Sequence, residues 1–89
     1  MIRMFFRHPV TDFAVWKKVY DAFDKARRAM GASGHAVFQA AGDPNDVTVW
    51  HDFETLDAAQ GFAKSQTLAS VMKDAGVIGK PTIWLTKQF

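Results

Sequence analysis

Hydrophobic and polar positions alternate at period two along residues 2–8, IRMFFRH, and predict a first strand. Pro9 ends it, because proline brings no N–H to a ladder. The period then changes. Phe13, Trp16, Tyr20 and Phe23 follow at spacings of 3, 4 and 3, with Val19, Ala26 and Met30 beside them, which predicts one amphipathic helix through TDFAVWKKVYDAFDKARRAMG. Thr11 or Asp12 is placed to cap its start and Gly31 its end. SGHAVFQAA predicts a second strand over 34–41, GDPND a turn over 42–46, and VTVWHDFE a third strand over 47–54, so the two strands form a hairpin. Thr55 and Asp57 open a second helix with Leu56, Ala59, Phe62 and Ala63 inward. KSQT, 64–67, predicts a break, after which Leu68, Val71 and Met72 carry a short helix to Gly76. Beyond the loop GVIGKP, Pro81 opens a last strand, TIWLTKQ.

The resulting order, β-α-β-β-α-β, predicts an α+β ferredoxin-like sandwich made by residues 1–89 as a single domain, one antiparallel sheet with both helices on one face. A hairpin turning over 42–46 opposes Gln39 to Val49, Val37 to His51 and His35 to Phe53, and opposed residues share a face. His35, Val37, Gln39, Val49, His51 and Phe53 are thereby assigned to the helices, joined by Ile2, Met4, Phe6 and His8. The open face receives Ala36, Phe38, Ala40, Thr48, Trp50, Asp52 and Glu54, with Arg3, Phe5 and Arg7. Burying each of its aromatic rings is worth roughly 2–3 kcal/mol, too much to leave in water. The expectation is a homodimer through Phe5, Phe38 and Trp50, with Arg3 and Arg7 available to Asp52 and Glu54.

Composition narrows the partners. A chain of 89 residues buries only about 60–65% of its unfolded surface, which also favours a partner subunit. It has no cysteine, so no disulfide or thiolate ligand is available, and a reducing, cytoplasmic location fits. MIRMFFRHPV is too short and too charged for a signal peptide, and no apolar run approaches the roughly 20 residues that span a bilayer, so no membrane partner is expected. The net charge is +2 and the bases are scattered. The densest group, DKARRAM, reads as cations near a negative helix end rather than a phosphate site. Nucleic acid is not expected either: a basic stripe is missing, the third strand lacks the basic-glycine-aromatic signature of the RNA-recognition motif, and Asp52 and Glu54 would repel phosphates.

The candidate chemistry sits on the helix side. His8, His35 and His51 share that face with Gln39 and Phe53, and Trp16 and Tyr20 are placed to roof it. This is the form of a small-molecule pocket, apolar with a few convergent polar groups. One of the histidines could act as general base, since imidazole titrates near neutrality, and Tyr20 could donate to a substrate oxygen. Each also has a purely structural reading: core or edge histidines, a solvated His8, and packing aromatics. No H-x-x-x-H or H-E-x-x-H spacing points to a metal, and no glycine-rich phosphate loop or G-x-S-x-G elbow is present, so no cofactor is expected.

HPVTDFAVWKKVYD, DPNDVTVWHDFETLDAAQGF, SQTLASVMKDAGVIGKP and the closing strand together resemble the dimeric α/β-barrel superfamily, near its small antibiotic-biosynthesis-monooxygenase-like and cyclase-like bacterial members. The resemblance covers nearly the whole chain. Its most specific parts are the D(F)xxW helix start, the DPN turn and the AGVxGxP segment. It implies two ferredoxin-like subunits packed sheet to sheet, with a pocket between each sheet and its own helices. It further implies a cofactor-independent monooxygenase or cyclase-type enzyme acting on a small aromatic or polyketide-like molecule. The superfamily also holds isomerases and proteins of no assigned activity, so a non-catalytic small-molecule-binding homodimer is the alternative. Haem degradation wants an axial histidine on the second helix, which has none.

Overall fold

The computed structural model describes residues 1–89. The elements are β1 (Ile2–Pro9), α1 (Phe13–Ala22), α2 (Asp24–Ala29), β2 (Gly34–Ala40), β3 (Asp43–Phe53), α3 (Leu56–Ala63), α4 (Gln66–Asp74) and β4 (Thr82–Lys87). The strands form one antiparallel sheet in the order β2-β3-β1-β4. This is the α+β ferredoxin-like architecture that the order of elements predicts. Burial alternates along the two central strands: Met4, Phe6 and His8 of β1 and Val47, Val49, His51 and Phe53 of β3 are buried, while Arg3, Phe5, Arg7, Thr48, Trp50 and Asp52 are not. The helices supply the other half of the core with Trp16, Tyr20, Phe23, Ala59, Phe62 and Leu68.

The helix starts follow from local chemistry. Asp12, not Thr11, caps α1, its carboxylate accepting from the N–H groups of Ala14 and Val15. Thr55 and Ser65 do the same for α3 and α4. The Ser65 cap is the predicted break in the second helical stretch. The first helical stretch is not continuous as predicted: it divides at Phe23 into α1 and α2. The carbonyl of Tyr20 accepts from the N–H of Phe23, a three-residue step, and also from the Arg27 guanidinium. That competition tightens the turn. Leu56, expected inward, is exposed.

The hairpin departs further. Its turn is confined to Ala41 and Gly42, and DPND, expected as loop, opens β3. A register irregularity between Gln39 and Ala40 accommodates the short turn. His35 pairs with His51, Val37 with Val49 and Gln39 with Val47, two residues from the expected pairing. The slip is even, so every side chain keeps its expected face. Asn45, freed from the turn, accepts the N–H of Phe13 at 2.9 Å and ties β3 to the start of α1. At the same end of α1, Gly76 lies against the loop before it with φ +83, and a Cβ there would stand 2.5 Å from Thr11 Oγ1.

The open face carries its aromatics in pairs. Phe5 stacks on Trp84 of β4 at 5.0 Å, and the Arg3 guanidinium lies 3.5 Å over Trp50. The charges expected to await a partner are satisfied within the chain. Arg3 makes a two-pronged pair with Asp52, and Arg7 pairs with Asp46 rather than with Asp52 or Glu54. Phe38 (53% exposed) and Trp84 (40%) remain uncovered.

Candidate functional site

Between the sheet and the helices lies a cavity of about 40 Å³. Phe6, His8, Val49 and His51 form its floor, Trp16, Tyr20, Phe23 and Arg27 one wall, and Phe62, Leu68, Val71, Met72 and Ala75 the other. The helical spacing that places Trp16, Tyr20 and Phe23 on one face extends to Arg27. Trp16 and Tyr20 stack at 4.8 Å, so the roof expected from the sequence is present.

Four of the seven predicted site residues meet here. The Tyr20 hydroxyl and His51 Nε2 are 2.9 Å apart, with the His8 ring 5.8 Å from that of Trp16. The other three do not line the cavity. His35 is on the correct face, 5.7 Å from Tyr20 and 6.5 Å from His51, but β2 is an edge strand and the ring is exposed. The expected convergence of all three histidines is therefore incomplete. Gln39 is exposed and donates to the carbonyl of Pro44, a bond the bulged hairpin creates. Phe53 is buried one turn of pleat away, against Phe62.

Sequence reasoning missed Arg27. Read from the sequence as one of the cations near a negative helix end, it is 2% exposed, with its guanidinium 3.8 Å over the Tyr20 ring. It donates to the Tyr20 carbonyl and, at 3.1 Å, to Asp24. The signal was available: positions 16, 20, 23 and 27 continue one helical stripe.

Burial sets the electrostatics. It pushes His51 down to about 3, with the positive charge of Arg27 and the neighbouring His35 adding to the shift. His8 is lowered for the same main reason. Burial also raises the Tyr20 hydroxyl well above its ordinary value, so it keeps its proton. At neutral pH the Tyr20–His51 pair is thus a phenol against a neutral imidazole. Nδ1 of His51 and Nδ1 of His8 are buried with no hydrogen-bond partner. In either tautomer of His51 its Nδ1 is unsatisfied, as a donor in one and an acceptor in the other. Orphan polar atoms in so apolar a cavity are costly unless something polar meets them. No three acidic or histidine side chains are grouped as metal ligands would be.

Several solved structures share this fold. No protein-family model matches the chain, and no curated protein matches it. A candidate antibiotic biosynthesis monooxygenase from Bordetella bronchiseptica superimposes with TM-score 0.83 at 19% identity, covering 99% of this chain and 96% of that one. SnoaB, a cofactor-independent oxygenase from Streptomyces nogalater, superimposes in a single-substitution form with TM-score 0.77 at 12% identity, covering 98% and 91%. A candidate monooxygenase of the same description from Deinococcus radiodurans gives TM-score 0.76 at 13% identity over 100% and 93%. The resemblance drawn from the sequence is thereby shown at the level of fold: the chain folds as antibiotic-biosynthesis-monooxygenase-like proteins do. No helix is long and apolar enough to cross a membrane.

Proposed function

We propose that the protein is a cofactor-independent oxygenase acting on a small hydroxy-aromatic molecule in the cavity beneath Trp16. The observation that carries this is the Tyr20–His51 contact, a proton-holding phenol and a neutral imidazole side by side among apolar walls. A cofactor-free oxygenase needs little more. His51 takes the proton of a substrate hydroxyl, Tyr20 holds the resulting oxyanion by hydrogen bond, and the electron-rich ring reacts with dioxygen. For a hydroquinone, one oxygen atom enters a ring carbon and the other leaves as water. The electrons for that water come from the substrate, which ends as a hydroxyquinone. The fold shared with SnoaB supports this reading.

The cavity is far smaller than the roughly 300 Å³ at which ligand sites begin, so binding must open it. Its α4 wall is the pliable side, with Val71 and the unbranched Met72 only half-buried. Oxygen uptake with hydroquinones, in buffer free of metal and flavin, tests the proposal. Consumption of one dioxygen per hydroxyquinone formed, with no hydrogen peroxide released, supports it. Saturable binding with no uptake would instead establish the non-catalytic binder, a reading that His51 favours by being so weak a base in the free protein.

We further propose a homodimer through the open sheet face. Trp50, Phe5 and the Trp84 stacked on it form an apolar row across the face, with Phe38 exposed at the β2 edge, and the two-pronged arginine–carboxylate pairs lie beside it already neutralised. Placing a carboxylate in that row, Trp84→Glu, is expected to weaken dimerisation by roughly 30-fold or more, the effect of one lost hot spot of 2 kcal/mol. Sedimentation equilibrium reads it; an unchanged dissociation constant would move the interface elsewhere.

A further inference from the structure

Arg27 borders two spaces. One is the apolar cavity. The other is a polar cleft of about 260 Å³ between α2 and β2, bordered also by Asp24, Arg28, Ser33, Gly34 and His35. The guanidinium, with Tyr20 stacked on it, is the partition between the two. Of its five N–H groups, two are engaged, with Asp24 and with the Tyr20 carbonyl. A buried arginine must keep a counter-charge, yet Asp24 is a replaceable one. Its carboxylate is 38% exposed and is also held by Arg28 Nε at 3.0 Å, so it can swing to solvent without losing every partner.

We infer that Arg27 anchors the carboxylate of an incoming ligand, displacing Asp24, and that the substrate class is a small hydroxy-aromatic carboxylic acid admitted through the α2–β2 cleft. The inference rests on the proposed cavity function and adds its recognition element. Charge and shape agree with it. The cleft holds two arginines against one aspartate, the wall beyond is aromatic, and a planar guanidinium matches a carboxylate with two parallel hydrogen bonds. The chemistry agrees as well. Arg27 is one of the groups that depress His51, so neutralising it by a bound carboxylate makes the imidazole a better base only when a ligand is present.

Salicylate and salicylamide differ in charge and hardly in shape, and isothermal titration of the whole protein with each is the test. The wild type is expected to bind salicylate at least about tenfold more tightly, the ratio of one charge-assisted hydrogen bond. Arg27→Gln is expected to erase that preference. Asp24→Asn keeps Arg27 in place and removes its competitor, so it should tighten salicylate and not salicylamide, even if Arg27→Gln fails to fold. A purely structural ion pair predicts lower stability in Asp24→Asn with no gain in affinity, and that result overturns the inference. Equal binding of the two compounds by the wild type also overturns it, while leaving the cavity as a ligand site. Failure of both to bind removes the anchor and the cavity reading together.

Discussion

Acidification from neutrality toward pH 3 is expected to remove on the order of 5 kcal/mol of folding stability through His51 alone. The unfolded chain protonates its imidazole at the ordinary 6.5, the folded chain only at about 3. The unfolded state therefore takes the proton first. Stability is full above about 6.5 and falls through the window down to the folded value, by about 1.4 kcal/mol per pH unit. His8, also lowered by burial, acts in the same direction. Asp46 contributes later in the descent, since its carboxylate is held low by Arg7 and its stabilisation disappears on protonation, though that pair is exposed and screened. A domain of this size has about 5–15 kcal/mol in total, so acid unfolding is expected well above the pH at which carboxylates alone would cause it. Urea melts at a series of pH values, for the wild type and His51→Gln, check this. Between neutrality and pH 5 the variant's midpoint should fall less than that of the wild type, the remaining fall coming from His8. Parallel curves would mean that His51 accepts a proton in the fold.

The same histidine shows why the fold was more legible than the site. Alternation along IRMFFRH and VTVWHDF fixes which side of the sheet each residue faces, because a strand has only two sides. That information survived even a two-residue error in the hairpin pairing, which arose because GDPND looks like a turn by composition whereas Asn45 is used to hold α1. Depth within a face is another matter. His35 and His51 are cross-strand neighbours on one face, yet one is exposed and the other buried, since β2 is at the sheet's edge and β3 at its centre. Strand order decides that, and period-two patterning does not encode it. Arg27 was obscured for the opposite reason. Its residue type suggests solvent, and only its place on the Trp16–Tyr20–Phe23 stripe shows that a cation is stacked into the wall.

On the proposed oxygenase reading, His51→Ala is expected to lower kcat/KM for oxygen-consuming turnover by about 10²–10⁴-fold, the contribution of a positioned general base, with the fold intact. The size of the effect depends on how so weak a base can act. At about 3 it lies some seven units below a phenol, so unaided transfer is uphill by about 10 kcal/mol. Two changes on binding offset this. Transfer leaves a phenolate against the imidazolium, and an opposite charge at contact raises the imidazole in a site that excludes water. A ligand carboxylate on Arg27 removes a second cause of the depression. The free and ligand-bound protein should consequently titrate differently. The kcat/KM profile, reporting the free enzyme, should show no acid limb from His51 above about pH 4, whereas the acid limb of kcat, reporting the complex, should lie higher. Tyr20→Phe keeps the imidazole and removes one oxyanion donor, so its loss should be smaller and its kcat limb preserved. Equal limbs in the two profiles, or undiminished turnover in His51→Ala, would place the proton acceptor elsewhere, with His8, whose Nδ1 is also buried and unpartnered, as the remaining imidazole in the cavity.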